Sequence, residues 1–243
     1  LFGNKLRNVI KMSYAASAFS SRFDEIPLEE RELIKNRLSE FYYIGVRDEV
    51  TKSFVESLEL GITVYLNHDP TIFLQPATDV KIAKMTLRKN FVFNNKESVS
   101  FMTRELPKID KLRGELAEQY NLLHFYRRDR YKADLLDNRC RFMNNVSPYE
   151  WYNLYGQMKL NITNFFHGAC LGIINHVPTI VVDDFEQSYM SKYAQLMTDL
   201  KLTDRLFYKK DFQYEKFIEA VNYCLTHREE ESQRLAIAID KER

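Results

Sequence analysis

The chain alternates between short apolar runs of strand length and longer segments in which apolar residues recur every three or four positions. The short runs are typical of strands in a buried sheet, and the longer period is typical of amphipathic helices. The predicted strands are 9–14, 42–46, 62–66, 99–102, 122–126, 160–162 and 179–182. This alternation predicts an α/β fold.

One segment, residues 159–184, contains a complete strand-helix-strand unit. An apolar strand ends in a polar turn at 163–164, a buried helix follows at Phe166–Ile174, and residues 179–182 form the next strand. Parallel strands bring the loops that follow them to one edge of the sheet, which is where α/β proteins bind their ligands. The helix that begins there also presents unpaired backbone N–H groups.

His167 lies at this strand-to-helix junction, just after Asn164. Gly168 and Ala169 beside it leave room for a ligand to approach the backbone. We therefore expect an anion to bind the helix N-terminus while the imidazole moves a proton. The alternative is that His167 is a capping or packing residue.

Two further strand ends carry polar residues. Arg47 follows the predicted strand 42–46 and precedes a helix, where a guanidinium can bind a carboxylate or phosphate through two hydrogen bonds. Its alternative role is a surface ion pair with Asp48 or Glu49. The next strand ends at His68 and Asp69 before a proline, so that these side chains either face a ligand cleft or form an Asx turn.

The lysine-rich stretch 76–98 lacks clear periodicity, and we place the connection between two domains there. The predicted domains are 1–90 and 91–243, with the final helix able to pack back on the first domain. His124 is expected in the core of a buried strand. The basic turn 127–132 is either a solvated loop or a contact for an anionic acceptor.

The composition of the chain limits the classes of function that it indicates. The chain has 35 Lys and Arg residues against 34 Asp and Glu residues, a formal net charge of +1, which gives no indication of nucleic-acid binding. The three cysteines are widely spaced and contain no CxxC pair, which indicates reduced thiols and a cytosolic protein. No apolar run in the printed sequence reaches membrane-spanning length, so we expect no transmembrane segment, and we recognise no signal peptide in it. The sequence begins with Leu1 and not with methionine, and we therefore expect it to be the later part of a longer protein.

Five short motifs together resemble the polysaccharide pyruvyl transferase family. They are the Ser-Pro-x-Glu helix start at 147–150, the Phe-His-Gly turn at 166–168, the Val-Arg-Asp-Glu segment at 46–49, the Asp-Pro pair at 69–70 and the Tyr-x-x-Ser turn at 14–17. The first is also a capping box with proline at the first helical position. The resemblance is strongest over 42–71 and 146–183.

The resemblance implies two Rossmann-like domains that face a cleft, the glycosyltransferase-B architecture, with the first domain incomplete at its amino end. It implies transfer of the pyruvyl group of phosphoenolpyruvate to a sugar of a cell-surface polysaccharide or of its lipid-linked precursor, forming a pyruvate ketal. Phosphoenolpyruvate would be the donor substrate, with no cofactor and no metal. The expected place is the cytoplasm, with peripheral contact at the inner face of the membrane left open.

The same resemblance, together with the strand-end positions, gives a set of expected site residues. His167 would be the catalytic acid and Arg47 the cation of the phosphoenolpyruvate site. The expected substrate-binding residues are Arg47, Gly168, Ala169, Asn164, Asp69, Tyr14 and Ser17.

Phe165 departs from the pattern, because many members of the family have arginine two residues before this histidine. Either other donors, such as the N–H groups of Gly168 and Ala169, then bind phosphoenolpyruvate, or the substrate differs. One rival hypothesis is a nucleotide-sugar-dependent glycosyltransferase of the same fold, in which a carboxylate near residues 183–186 would bind a ribose. The other is a non-catalytic sugar-binding relative, in which Phe165 marks a lost site.

Overall fold

The computed structural model describes residues 8–18, 23–90, 92, 94–103, 106–125, 140–143, 146–184 and 191–242. These residues form two compact units. The first unit contains the described residues up to Pro70 together with 191–196, and the second contains the remaining described residues from Thr71 onwards. Each unit is a layered α/β structure built on a parallel sheet, so the predicted fold class is confirmed.

The first unit has a three-stranded parallel sheet in the order β1-β2-β3. Its elements are β1 (Met12–Ala16), α1 (Leu28–Leu38), β2 (Tyr43–Val46), α2 (Glu49–Glu56) and β3 (Val64–Leu66), with a short 3-10 helix at Phe23–Glu25. Asp48 is the N-cap of helix α2, and its Oδ1 accepts a hydrogen bond from the Thr51 N–H at 2.8 Å. The core lies between the sheet and the helices, where Ile44, Val46, Phe54 and Val64 are buried.

The second unit has a six-stranded parallel sheet in the order β6-β5-β4-β7-β8-β9. Its strands are β4 (Ser98–Met102), β5 (Asn121–His124), β6 (Cys140–Phe142), β7 (Met158–Thr163), β8 (Thr179–Asp183) and β9 (Leu206–Tyr208). Its helices are α3 (Val80–Lys89), α4 (Ile109–Gln119), α5 (Pro148–Tyr155), α6 (Phe166–Ile174), α8 (Tyr214–Thr226) and α9 (Arg228–Glu242), and α7 (Lys192–Asp199) begins in the first unit and ends in the second.

The strand order of the second sheet is that of the Rossmann fold, in which the first and fourth strands lie side by side. Here those strands are β4 and β7, and Phe101 of β4 is opposite Ile162 of β7. Because the chain leaves this pair in opposite directions, a crevice forms at the carboxyl ends of the two strands. The topology thus marks one place on the second sheet as the expected ligand crevice.

Three elements and one boundary differ from the sequence-based prediction. Helix α3 forms where a connection is predicted, because Asp79 caps its first turn and the helix packs on α5. The compact units therefore divide after Pro70 and not near residue 90. Strands β6 and β9 are three residues each, too short to show a period. Helix α9 packs on α6 and α8 of its own unit.

Cys140, Cys170 and Cys224 are buried free thiols. No helix within the described part of the chain is both long enough and apolar enough to cross a membrane.

Candidate functional site

The carboxyl edge of the second sheet brings together polar residues from three neighbouring strands. Thr103 follows β4, Asn164 follows β7 and Asp184 follows β8. The Asn164 N–H donates to the Met102 carbonyl at 2.7 Å, a bond that belongs to the parallel pairing of Met102 with Thr163 at the end of the two strands. The Asn164 Nδ2 donates to the Asp184 Oδ2 at 3.0 Å. An amide and a carboxylate therefore lie at the switch point of the sheet.

His167 is exposed in the first turn of α6, at the same edge. The N-cap residue, Phe165, has no side-chain acceptor of its own, and its N–H donates to the Thr163 Oγ1 at 2.9 Å. The helical ladder begins where the Ala169 N–H donates to the Phe165 carbonyl at 2.9 Å. This corrects the expectation for Ala169, whose N–H is used inside the helix. The N–H of Gly168 precedes the ladder and keeps its expected position.

Two glycines allow α6 to lie close to the sheet. A Cβ at Gly172 would lie 2.3 Å from the Thr179 Oγ1 and 2.4 Å from the Asn161 Nδ2. A Cβ at Gly168 would lie 2.9 Å from the Tyr155 hydroxyl oxygen. In turn the Asn161 Nδ2 donates to the Gly168 carbonyl at 3.0 Å. Close packing and this buried hydrogen bond fix the helix that presents His167.

A row of aromatic side chains runs from the core to His167. The ring of Phe165 lies 6.3 Å from that of His167, and Trp151 lies edge-on to Phe165 with the ring centres 6.3 Å apart. Trp151 also lies edge-on to the buried Phe125, at 6.0 Å. Trp151 and Phe165 are half-buried. The wall beside the candidate acid is therefore aromatic, and the sequence prediction did not place Trp151 in it.

His124 ends β5 at the same edge and is buried, as predicted for a core residue. Burial, with a smaller contribution from the nearby Arg113 charge, lowers the pKa of His124 to about 4. The imidazole is therefore neutral at pH 7 and adds no charge to the crevice.

The carboxyl edge of the first sheet is ionic. The Arg47 Nη1 forms a salt bridge with the Asp69 Oδ2, and the two side chains are only 18% and 5% exposed. Both residues follow neighbouring parallel strands, since Val46 of β2 pairs with Leu66 of β3. Asp48, considered as a partner of Arg47, caps α2 instead. The structure thus brings together two of the predicted site residues, Arg47 and Asp69, within the first unit.

Tyr14 and Ser17 belong to the end of β1. Tyr14 lies within the strand, which continues to Ala16 through a bulge at Ala15, and its side chain is 52% exposed. Ser17 is one of the residues that line a cavity of about 330 Å³, and most of the other lining residues are apolar, among them side chains of β2, α1 and α2. The Ser17 Oγ is buried and has no hydrogen-bond partner among the described residues. The predicted Tyr-x-x-Ser turn is therefore a bulged strand end beside a cavity.

Several predicted features lie outside the described residues, namely the basic turn 127–132 and Glu186. Thr103 and Trp151 were missed as site residues. A signal for Thr103 was present, because it directly follows the predicted strand 99–102. For Trp151 the helical spacing indicated only a core residue. Among the described residues, no three His, Cys, Asp or Glu side chains cluster as a metal site would require.

Comparison of the sequence with known protein families gives one match. The sequence profile described as polysaccharide pyruvyl transferase matches residues 2–184, which include every residue placed at the two sheet edges. No curated protein is similar enough in sequence to count as a match.

Two solved structures are similar in fold. A UDP-forming α,α-trehalose-phosphate synthase from Burkholderia xenovorans is 12% identical with a TM-score of 0.55, over 95% of this chain and 64% of that protein. The corresponding synthase from Burkholderia vietnamiensis is 10% identical with a TM-score of 0.53, over 95% of this chain and 65% of that protein. The chain thus spans slightly less than two thirds of these glycosyltransferases. At such identities the likeness shows the fold, of the glycosyltransferase-B type, and no more.

Proposed function

We propose, from the premise that this chain belongs to the polysaccharide pyruvyl transferase family, that it transfers the pyruvyl group of phosphoenolpyruvate to two hydroxyls of a saccharide. The product is a pyruvate ketal on a cell-surface polysaccharide or on its lipid-linked precursor. The observation that carries the proposal is the position of His167, exposed in the first turn of α6 beside the β4–β7 switch point. The proposed place of the reaction is the cytoplasm, where phosphoenolpyruvate is available.

The reaction needs one acid and fixed positive charge. A proton added to the methylene carbon of phosphoenolpyruvate turns it into a methyl group, and an acceptor hydroxyl oxygen bonds to the adjacent carbon. The carbon–oxygen bond to phosphate then breaks, and a second hydroxyl closes the ketal. Of the two hydroxyl protons released, one balances the proton delivered to carbon and the other leaves with phosphate. Positive charge stabilises the donor carboxylate and phosphate throughout.

The residues divide these tasks by their chemistry. His167 delivers the proton, because imidazole is the side chain whose ordinary pKa lies closest to neutral pH. Arg47 binds the carboxylate or phosphate of the donor, and Asp69 holds its guanidinium in place. The first-turn N–H groups of α6, Gly168 among them, offer further donors to an anion. Asn164, Tyr14 and Ser17 contribute amide and hydroxyl groups for the substrates.

The test compares two exposed histidines of the second unit. His167→Gln should lower phosphate release from phosphoenolpyruvate by roughly two to four orders of magnitude, the usual contribution of one general acid. His227→Gln, at the end of α8, should leave the rate unchanged. The assay offers acceptors containing galactose, mannose or N-acetylmannosamine, and thermal melts confirm that both variants are folded.

Normal turnover by folded His167→Gln protein would remove this residue from the chemistry. A loss of activity that only follows a loss of folded protein would make His167 a packing residue. Absence of phosphate release from the wild type with every acceptor would refute the proposed reaction itself.

A nucleotide-sugar-dependent glycosyltransferase is the second candidate, and Asp184 favours it. That carboxylate follows β8 at the crevice, where the glycosyltransferase hypothesis expects a ligand for a ribose. Release of a nucleoside diphosphate from a sugar nucleotide, without phosphate release from phosphoenolpyruvate, would select this candidate.

A further inference from the structure

The half-buried rings of Trp151 and Phe165 form an aromatic surface next to His167. Their edge-on contact, with ring centres 6.3 Å apart, leaves part of each ring accessible. Phe125 packs edge-on against Trp151 from the core side at 6.0 Å, and it stacks on the fully buried Tyr155 at 4.9 Å. This backing fixes the orientation of the exposed ring surface. A preformed apolar surface of this kind suits a ligand with a flat apolar face.

Polar groups lie at the same edge, and one of them has no hydrogen-bond partner within the part of the chain that the structure describes. Thr103 is 1% exposed, and its Oγ1 has no hydrogen-bond partner among the described residues. A buried hydroxyl without a partner costs free energy, and a hydrogen bond to a ligand would recover that cost. Thr103 is the strand neighbour of Asn164, because the Asn164 N–H bonds to the Met102 carbonyl. Asn164 is joined in turn to Asp184.

We propose that this edge of the second unit is the acceptor subsite and that it binds a hexopyranose. The C–H face of the sugar ring lies on Trp151 and Phe165, and hydroxyls at the ring edge bond to Thr103 and to the Asn164–Asp184 pair. An aromatic face with a hydroxyl, an amide and a carboxylate beside it provides both an apolar contact and the donors and acceptors that sugar hydroxyls need. The inference rests on the proposed function, since it names the place of that reaction's acceptor.

Phe165 acquires a role under this proposal. A guanidinium at this position would favour an anion, whereas a phenyl ring favours the apolar face of a neutral sugar. Because Phe165 is also the N-cap residue of α6, its ring is held within 6.3 Å of the ring of His167. The sugar would thus be held beside the acid without any charged group at residue 165.

The experiment uses the fact that Trp151 is the only tryptophan in the chain. Its fluorescence is measured while methyl β-galactopyranoside or methyl α-mannopyranoside is added, without phosphoenolpyruvate, and glycerol serves as the solvent control. A saturable change is expected with at least one glycoside. The variants are Thr103→Val and Phe165→Leu. The matched control is Tyr149→Leu, an exposed aromatic residue on the same helix as Trp151.

Thr103→Val should raise the Kd by about fivefold, the usual effect of one neutral hydrogen bond. Phe165→Leu should raise it by roughly two- to tenfold, because the aromatic contact is lost. Tyr149→Leu should leave it unchanged. Thr103→Val should also melt at the same temperature as the wild type or higher, since the buried hydroxyl has no protein partner to lose. A merely structural threonine would show the opposite, a lower melting temperature with an unchanged Kd.

The outcomes separate this inference from the proposed function. An unchanged glycoside Kd in Thr103→Val would overturn the subsite. A second outcome would overturn it as well, namely turnover by the wild type with saccharides that produce no saturable change in its fluorescence. In the second case the proposed reaction would still stand. Saccharide binding that is weakened in both variants, with no phosphate released from phosphoenolpyruvate, would support the subsite and refute the pyruvyl transfer.

Discussion

Two arginine–carboxylate pairs of similar burial occupy very different places in this protein. In the first unit, Arg47 pairs with Asp69 at the carboxyl edge of the sheet, and the side chains are 18% and 5% exposed. In the second unit, Arg205 pairs with Glu231, and the side chains are 11% and 4% exposed. Burial and pairing therefore do not distinguish the two arginines.

Their surroundings do distinguish them. Glu231 accepts two hydrogen bonds from Arg205, at 2.8 and 3.1 Å, while Asp204 accepts a third at 2.7 Å. The guanidinium also lies over the ring of Tyr223, 5.1 Å from its centre. This network joins the 3-10 helix Thr203–Arg205 to α9, away from the strand ends that carry the candidate site. The comparison teaches that burial and pairing alone do not mark an arginine as a ligand-binding candidate, and that Arg47 is one because of its place at the carboxyl edge of a sheet.

The largest expected effect concerns the structural pair. Glu231→Ala should lower the free energy of unfolding by about 3–5 kcal/mol, because it leaves the buried Arg205 charge without its main partner. Urea unfolding followed by circular dichroism measures this change. Glu215→Ala, which removes an exposed partner of Lys108, is the control and should change the free energy of unfolding little, because solvent screens exposed ion pairs. Equal effects in the two variants would contradict the structural role of the network.

His124 adds a third buried titratable side chain to the comparison, and unlike the two arginines it is neutral at pH 7. Its pKa of about 4 lies below the ordinary value of 6.5, so the unfolded state binds a proton first as the pH falls. The free energy of unfolding should therefore be unaffected above pH 6.5 and should fall by up to about 3 kcal/mol between pH 6.5 and 4. His124→Phe should make this part of the pH profile shallower in urea titrations. An unaltered profile would assign the acid sensitivity to other groups.

The Arg47 pair is best tested by removing both charges at once. Arg47→Gln combined with Asp69→Asn should weaken phosphoenolpyruvate binding by about 1.5–3 kcal/mol, the range for a charge-assisted hydrogen bond. Stability should change little, because neither variant side chain leaves an unpaired buried charge. Calorimetric titration measures the affinity. Arg205→Gln with Glu231→Gln is the matched control, and equal donor affinities in the two double variants would remove Arg47 from the donor site.

The smallest expected effect concerns Asp48, the acidic neighbour of Arg47. Asp48→Ala should cost about 1 kcal/mol, because α2 loses its N-terminal cap. Asp48→Ser should recover most of that loss, since a hydroxyl also caps a helix. Chemical unfolding of the two variants provides the measurement. If serine were no better than alanine, the carboxylate charge of Asp48, and not its capping bond, would be what the first unit requires.

Local signals predicted much of the second unit. The capping box at Ser147 and Glu150 is present, with the Ser147 N–H donating to the Glu150 carboxylate at 2.8 Å. The strand before His167 and the helix after it are also where the sequence indicated them, because fully buried parallel strands leave long apolar runs. Helix α3 was missed although Asp79 is a recognisable N-cap residue. The apolar face of this helix has only a few residues, and the exposed lysines between them obscure the helical period in the sequence.

Long-range contacts explain what the sequence did not reveal. The pair of Arg47 and Asp69 joins residues from two strands, whereas the sequence offered nearer carboxylates at Asp48 and Glu49. Trp151 and Phe165 meet through the packing of α5 on α6, and no local pattern encodes that contact. The candidate acid could therefore be predicted from the sequence, but the aromatic wall beside it could not.

The burial of the strands of the second sheet has a consequence for its motions. All residues of β4 and β8 are buried, while the edge strands β6 and β9 have only three residues each. Amide hydrogens should therefore exchange with solvent most slowly at the centre of the sheet and fastest at its margins. Thr103 and Asn164 directly follow the central strands β4 and β7, so thermal fluctuations that fray the edges would leave these two residues in register. Of the whole sheet, the switch point would then be the last part to lose its geometry on warming.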